Sequence, residues 1–287
     1  MFAAIGIVVL LVMVFGGFAL TGGALGPVLH ALPHEMLIIG GAAVGAIIAG
    51  NSMHEIKALG RGLGKVFKGP RHNKEDHVDA IALTSKLMKM MKTEGAIAVE
   101  KHVSEPENSP IFSEYPRLLA NKPLVGLICD TLNLMVISTG TLENHAIEDI
   151  MDNAMKTHFH DLAEPQHALQ SLADALPALG IVAAVLGVVK TMGSIDQPPE
   201  ILGAMIGSAL VGTFLGVLLA YGVVGPLAGR LKQINEQDEQ IFHAVKQVVM
   251  ASHQGWSQAL VVESARSGLG HAVRPGQIEL LDAIRGR

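Results

Sequence analysis

The sequence predicts an all-α membrane protein with four transmembrane helices, a helical cytoplasmic domain between the second and third spans, and a C-terminal cytoplasmic helix. Three observations lead to this fold class. The composition is 49% hydrophobic and 16% charged, too apolar for an ordinary soluble protein and too charged for one buried wholly in lipid. Lysine and arginine are distributed unevenly between the segments that join the apolar runs. Those runs, the candidate membrane helices, lie at residues 2–20, 36–50, 176–193 and 201–226.

Residues 1–50 are predicted to form a transmembrane hairpin. Its first run, 2–20, has close to the about 20 apolar residues that a bilayer-spanning helix needs. It lacks the basic start and the small-residue cleavage site of a secretory signal, so we expect a retained span. Residues 21–35 contain two prolines and no Lys or Arg, which predicts a short loop. The Gly-rich run 36–50 is then the returning helix.

Basic residues orient the hairpins, because Lys and Arg are in excess on the cytoplasmic side of membrane proteins. Six of them lie between residues 57 and 74, soon after the second run, and Arg230 and Lys232 follow the fourth run. The loop between the first two runs has none, and the loop after the third has only Lys190 at its margin. This distribution predicts that both termini and the long middle segment lie in the cytoplasm.

The middle segment, residues 51–175, is predicted to be the cytoplasmic helical domain. Apolar residues recur at helical spacing from residue 77 to residue 91. Residues 123–138 are apolar enough to suggest a fifth span, but Asp130 and Asn133 lie in their middle. A fifth span would also move the following segment outside. We therefore interpret residues 123–138 as a buried cytoplasmic helix.

The C-terminal segment, residues 227–287, is predicted to leave the membrane as a cytoplasmic helix and end in a tail. Its apolar residues recur at helical spacing, which suits a helix that packs on the middle domain. These residues are Leu231, Ile234, Ile241, Val245 and Val248.

Neither motifs nor composition support an enzyme. The sequence contains no nucleophile elbow, phosphate-binding loop or dinucleotide fingerprint, and no cofactor is expected. The net charge of −5 gives no reason to expect nucleic-acid binding, and the single cysteine excludes a Cys-pair metal site. A histidine cluster lacks closing metal ligands and is interpreted as a solvated helix face; it comprises His158, His160 and His167.

The third and fourth runs, residues 176–226, are predicted to form a second hairpin of closely packed helices. Small residues recur at every fourth position of the fourth run, a pattern that lets helix backbones approach. They are Ala204, Ser208, Gly212, Gly216 and Ala220. The second run repeats the pattern at Gly41, Gly45 and Ala49. Four helices do not need this much small-residue surface among themselves, which points to contacts with other copies or with a foreign helix.

Neither run of the second hairpin contains Asp or Glu, although an ion relay inside a membrane requires a titratable carboxylate. Thr213 either bonds a carbonyl of its own helix or supplies an oxygen ligand along a wet path. Pro177 frees a backbone carbonyl that would serve the same path. If the chain conducts ions, we expect a partner helix to bring the carboxylate.

Four stretches resemble the A subunits of flagellar motor stators, the MotA branch of the MotA/TolQ/ExbB proton channel family. They are TGGALG at 21–26, IFSEYPRLLA at 111–120, LPALGIVAAVLGVV at 176–189 and MIGSALVGTFLGVLLAYGVVGPLA at 205–228. The resemblance covers nearly the whole chain. It implies a multi-pass protein of the bacterial inner membrane that couples proton flow to torque. It also implies a pentamer around a dimer of B subunits, each with one span, a peptidoglycan-binding domain and the essential Asp.

The resemblance implies roles for individual residues of the proton path. Pro177 and Thr213 match the family's pore proline and pore threonine, and Pro226 matches the proline at the cytoplasmic end of the fourth span, interpreted as a hinge. Sodium-driven relatives carry a second threonine where this chain has Ala184. Because sodium wants several oxygen ligands and a proton needs only a relay, Ala184 predicts a translocated proton.

The resemblance also implies a contact with a rotor switch-complex protein. Aligning on the pattern M-x-x-x-G-x-x-x-x-E places the family's basic and acidic contact residues at Lys92 and Glu100. The basic residue is typically arginine in the family, so Lys92 keeps the charge but loses the bidentate fork. Considered without the resemblance, both are interpreted as charges on a solvated helix face.

Two other functional classes are weighed against the stator. A TolQ/ExbB-type energiser of an envelope complex would use the same proton-motive force, but that branch typically has three spans with its cytoplasmic domain after the first. The complete hairpin before the middle segment favours the stator. A permease subunit would require a polar substrate site, for which the sequence offers no candidate cluster.

Overall fold

The computed structural model describes residues 2–138 and 143–286, and every regular element in these two ranges is a helix. We number the helices α1 to α12 in chain order. They are α1 (Phe2–Leu20), α2 (Leu25–Gly50), α3 (Met53–Lys68), α4 (Lys74–Glu94), α5 (Ala96–Ser104), α6 (Pro110–Ser113), α7 (Pro116–Leu119), α8 (Lys122–Ile137), α9 (Asn144–Met192), α10 (Pro199–His253), α11 (Gln258–Ser267) and α12 (Gln277–Gly286).

Within the described ranges, four helices are long and apolar enough to cross a membrane, namely α1, α2, α9 and α10. The number of candidate membrane helices therefore agrees with the predicted number of spans. In the most apolar stretch of each of these helices, at most 28% is buried inside the chain. Most of their apolar surface therefore faces outward, where lipid or another membrane helix would cover it.

The second membrane helix is longer than predicted. α2 begins at Leu25, not at residue 36, so the loop before it is confined to residues 21–24. Pro27 lies in the first turn, where the missing N–H is not needed. Pro33 lies inside the helix and does not end it, because membrane helices tolerate an interior proline. This extension places Glu35 within α2.

The described chain divides into two compact units, each considered by itself. Unit 1 comprises Met1–Gly69 and Leu162–Ile234, and unit 2 comprises Pro70–Asp161 and Asn235–Arg287. The structure thus groups α3 and residues 162–175 with the membrane helices, whereas the sequence assigned residues 51–175 to one cytoplasmic domain. Helices α9 and α10 contribute to both units.

Packing of α3 explains why it belongs to unit 1. Leu59 and Val66 are buried on one face of this amphipathic helix, in a cluster with Leu169 and Leu231. Gly62 lies at the contact, where an added Cβ would be 2.8 Å from Pro165 Cβ and 3.0 Å from a Leu231 methyl. A periodicity analysis of α3 alone identifies the buried face but not the helices that cover it.

Unit 2 has a core built from α4, α8 and the distal part of α10. Helix α8 is buried in it through Leu124, Ile128 and Leu132, which confirms that residues 123–138 form a buried helix. Ile241 and Val245 of α10 join the same core, as predicted for a helix that packs on the middle domain. In the tail, Leu280 of α12 packs in a second cluster of unit 2 with residues of α4 and α11.

The predicted solvated histidine face is only partly correct. His160 and His167 are exposed, but His158 is half-buried. Its ring centroid lies 5.0 Å from that of Phe242 and 5.9 Å from that of Phe159. The aromatic partner on α10 comes from a distant part of the sequence, so local composition did not reveal it.

A buried polar network fixes the start of α4 in unit 2. Asn73 and Asp76 form a capping box, in which each backbone N–H donates to the other residue's side chain at 2.9 Å. The Asp76 carboxylate, 2% exposed, also accepts two bonds of 2.9 Å from the Arg117 guanidinium. His77 Nδ1 lies 2.7 Å from the Asn73 carbonyl oxygen, and the buried His72 ring stands edge-on to that of His77.

Burial gives these two histidines low proton affinity. It lowers the pKa of His72 from 6.5 to about 4, although the nearby Asp238 and Asp76 act to raise it. Burial also lowers the pKa of His77, against the opposing effect of its bond to Asn73. Because the unfolded chain binds these protons at a higher pH than the folded chain does, the two histidines do not reduce the stability of unit 2 above about pH 6.5, and they reduce it as the pH drops toward about 4.

We expect this loss to reach up to about 3 kcal/mol from His72, since one pKa unit corresponds to about 1.4 kcal/mol. The measurement is the thermal unfolding midpoint of the detergent-solubilised chain as the pH falls through that window. His72→Gln removes the titrating group and should flatten the pH dependence, whereas His271→Gln, at an exposed site, should not. The same acid sensitivity in wild type and His72→Gln would contradict the assignment to His72.

Candidate ion path between the membrane helices

The backbones of α9 and α10 touch directly in unit 1. A Cβ added at Gly180 would lie 2.8 Å from the Gly212 carbonyl oxygen and 3.0 Å from Gly216 Cα. A Cβ added at Gly216 would lie 2.7 Å from the Leu176 carbonyl oxygen and 2.8 Å from Gly180 Cα. Only glycine leaves room for this approach, and the contact is therefore set by backbone atoms, not by side-chain fit.

The small-residue pattern of the fourth run packs inside the chain along part of its length. Gly212, Gly216 and Ala220 are buried, Ser208 is half-buried and Ala204 is exposed. The pattern of the second run does not pack in this way. Gly41, Gly45 and Ala49 are exposed, and an added Cβ would meet nothing within 4 Å at either glycine. The buried face of α2 is a different one, formed by Ala31, Glu35, Ile39 and Ala43.

The crossing brings two of the predicted path residues to one level. The backbone nitrogen of Ala184 would lie 3.3 Å from a Cβ added at Gly212, the neighbour of Thr213. Both residues are half-buried in the chain. At about 1.5 Å per residue, Pro177 lies about 10 Å from Ala184 along α9. Pro177 is half-buried inside this continuous helix, with its neighbour Leu176 against Gly216.

Pro226 is remote from the other three residues. It lies about 20 Å beyond Thr213 along α10, at about 1.5 Å per residue, and is exposed. It directly follows Gly225, where a π-helical turn, Ala220–Val224, ends. Proline has no N–H to bond the carbonyl four residues earlier, and a widened turn accommodates that loss. This irregular turn fits the predicted hinge, whose function stays a prediction.

Glu35 is a candidate that the sequence analysis missed. It is 5% exposed, and its Oε2 atom would lie 2.5 Å from a Cβ added at Gly212. Among the described residues this oxygen has no hydrogen-bond partner. The fourfold spacing of Ala31, Glu35, Ile39 and Ala43 was the available signal, but interpreting residues 21–35 as a loop concealed it.

The predicted rotor-contact residues lie on the surface of unit 2. Lys92 is exposed in the last turn of α4, and Glu100 is exposed on α5. Gly95 joins the two helices with a φ of +89°, a conformation that favours glycine. The glycine of the M-x-x-x-G-x-x-x-x-E pattern therefore has a backbone function. It makes the sharp turn between the helices that carry the two charges.

Comparison with known proteins identifies the family. Residues 4–95 match the family described as motility protein A N-terminal, and residues 120–244 match the MotA/TolQ/ExbB proton channel family. Motility protein A of Salmonella typhimurium is 38% identical over 285 residues, which cover 99% of this chain and 95% of the relative. The chain belongs to the motility protein A branch of the MotA/TolQ/ExbB proton channel family.

Two solved structures share the fold of this family member. The first is described as the structure of C. jejuni MotAB; it matches with a TM-score of 0.74 and 20% identity and covers 96% of this chain and 98% of the other. The second is described as the flagellar MotAB stator complex from Bacillus subtilis. It matches with a TM-score of 0.69 and 21% identity, and the match covers 91% of this chain and 92% of the other. The all-helical fold with four candidate membrane helices is thus that of the family.

The glycine contact gives a testable prediction for this MotA relative. Gly180→Ala and Gly216→Ala force backbone atoms apart, and overpacking of this kind costs about 1–3 kcal/mol. We expect less protein in the membrane and a lower unfolding temperature after detergent extraction. Gly203→Ala and Gly207→Ala, on the same helix α10 as Gly216, serve as controls. A Cβ added at either position meets nothing within 4 Å in the chain. Equal stability of all four variants would show that the close approach is unimportant.

Proposed function

We propose that this chain is the A subunit of a bacterial flagellar stator, which couples inward proton flow to torque on the rotor. The observation that carries the proposal is the 38% identity to a motility protein A across 99% of the chain. The match to the motility protein A N-terminal family at residues 4–95 supports the stator branch in particular. A TolQ/ExbB-type energiser is not favoured, because this region includes the first hairpin, which distinguishes the two branches.

The proposed topology places both termini and unit 2 in the cytoplasm. The basic residues after α2 and within α10 support this orientation. The short outside segments are then residues 21–24 and 193–198. The resulting protein is multi-pass and resides in the inner membrane.

The proposed proton path runs along the paired helices α9 and α10. Ala184 and Thr213 form its wall at one level and Pro177 lies nearer the cytoplasm. Residues 176–193 and 201–226 contain no carboxylate, and the resemblance to stator A subunits implies that the single-span B subunit supplies the essential Asp. The shared fold with the two solved MotAB structures supports such a partner. Ala184 brings no side-chain oxygen to the position where sodium-driven relatives carry a second threonine, which supports a proton as the translocated ion.

The outward surface of the membrane helices suits assembly with other chains. The most apolar stretches of these helices are at most 28% buried inside the chain. The small residues Gly41, Gly45 and Ala49 are exposed on one of them, which leaves room for close contacts with neighbouring helices. A pentamer of A subunits around a B dimer uses this surface. Unit 2 then presents Lys92 and Glu100 to a rotor switch-complex protein.

The pore assignment is tested in a strain that lacks its own A subunit and expresses this chain with its B subunit. Loss of the Thr213 hydroxyl should remove an oxygen from the path, and we expect Thr213→Val to lower swimming speed about fivefold, in line with one hydrogen bond worth about 1 kcal/mol. The complex should still assemble. Thr157→Val, which removes an exposed hydroxyl on α9, is the matched control.

The ion is tested in the same strain by varying external sodium at constant proton-motive force. Swimming speed should not depend on sodium. A swimming speed proportional to the external sodium concentration would refute proton coupling. In the preceding test, a wild-type swimming speed of the Thr213→Val variant would refute the pore assignment. No rescue of swimming by the wild-type chain with its B subunit would refute the stator function.

The rotor contact is tested by charge reversal. Lys92→Glu and Glu100→Lys should each lower torque about two- to fivefold, because exposed charge pairs contribute only about 0–1 kcal/mol. Proton flux through the complex should not change. Lys156→Glu, at another exposed site of unit 2, should behave as wild type. Normal torque in both reversals would indicate that Lys92 and Glu100 are ordinary surface charges.

A further inference from the structure

A cavity of about 820 Å³ lies between α2, α9 and α10 in unit 1. We call it the vestibule. It is lined near the start of α2 by Gly26 and Pro27, near the end of α9 by Lys190 and Thr191, and at the start of α10 by Glu200. These helix ends are the ones that the proposed topology places outside the cytoplasm. The vestibule therefore faces the side from which protons come.

The vestibule is rich in titratable groups for a cavity between membrane helices. His30 and His34 of α2 lie one turn apart on its wall, opposite Lys190 of α9 and Glu200 of α10. The innermost of these groups is Glu35, which is buried where α2 meets Gly212. An ionisable side chain within a membrane helix is costly unless it is paired, hydrated or protonated, and such residues mark ion pathways.

The position of the Glu35 carboxyl group connects the vestibule to the path. Its Oε2 atom is buried without a hydrogen-bond partner in the described ranges. The carboxyl group lies against Gly212 and near the backbone of Ala184. In sequence, Gly212 lies between Ser208 and Thr213, which are both half-buried. The carboxyl group is thus at the level of the proposed pore wall, and only a glycine at 212 leaves space for it.

We propose that Glu35 is a proton-binding group that collects protons from the vestibule and delivers them to the path beside Thr213. Its carboxylate accepts one proton from a hydronium ion in the vestibule and leaves water behind. The resulting carboxylic acid then gives this proton to water on the path side and becomes a carboxylate again. This inference rests on the proposed stator function and its orientation, and adds a residue that neither assigns.

A collecting group accelerates proton access without being the essential carboxylate, which the B subunit supplies. The contribution of such a group to the rate of proton entry is largest when external protons are scarce. Entry then depends most on local charges that raise the proton concentration at the path. Removal of the carboxylate therefore slows the motor most at alkaline external pH. His30, His34, Lys190 and Glu200 share the vestibule, so Glu35 is tested by its own substitutions.

The test compares full-length variants expressed with the B subunit, at constant proton-motive force. Relative to wild type, Glu35→Gln should swim at near-normal speed in acidic medium and at about half the speed or less in alkaline medium. Glu35→Asp, which keeps the carboxyl group on a shorter side chain, should have a swimming speed in alkaline medium between those of wild type and Glu35→Gln. Glu75→Gln, at an exposed site in the first turn of α4, is the matched control and should follow wild type at each pH.

A Glu35→Gln variant present at wild-type amounts with an unchanged pH profile would overturn the proposal. If that variant does not accumulate, the wild-type complex in membranes is treated with dicyclohexylcarbodiimide, which reacts with protonated carboxyl groups in apolar sites. An adduct at Glu35 that decreases at alkaline pH supports the proposal, and its absence overturns it. Wild-type swimming that ignores the proton-motive force would instead refute the stator function itself.

Discussion

Direct contact between the backbones of α9 and α10 is the constraint on which the membrane part depends. Gly180 and Gly216 meet with no side chain between them, so the two helices are held at a distance that no larger residue permits. The same contact sets the level of Ala184 against Thr213 and leaves the space at Gly212 that the Glu35 carboxyl group occupies. A wall of this kind gains its stability from dispersion contacts of many backbone atoms, which fall off steeply when the helices separate.

The two helices that make this wall also build unit 2. Helix α10 continues past its π turn to His253, and its distal residues Ile241 and Val245 are fully buried among α4 and α8. Helix α9 contributes Ile147 and Met151 to the same core. Each of the two helices thus has an apolar membrane part in unit 1 and contributes buried residues to unit 2.

Charges are used differently in the two units. In unit 2, Asp76 is buried and is satisfied by a capping box and by Arg117, an arrangement that orders the start of α4. Lys92 and Glu100 are exposed and cost little to place, which makes them suited to a transient contact with a moving partner. In unit 1, Glu35 is buried without a hydrogen-bond partner for Oε2 among the described residues, and it is the group proposed to exchange protons with water in the vestibule.

Sequence alone determined the fold class, the number of spans and the buried position of residues 123–138, because hydropathy and helical period are properties of single segments. The residues alone marked Pro177 and Thr213 as candidates, and the resemblance gave them their pore roles. Lys92 and Glu100 came from the resemblance, since they would otherwise pass as charges on a solvated helix face. Only the tertiary structure decided that α2 begins at Leu25, that α3 packs with the membrane helices and that His158 contacts Phe242. It alone placed Glu35 against Gly212. The burial of a polar side chain depends on which distant helix covers it, and no local pattern contains that information.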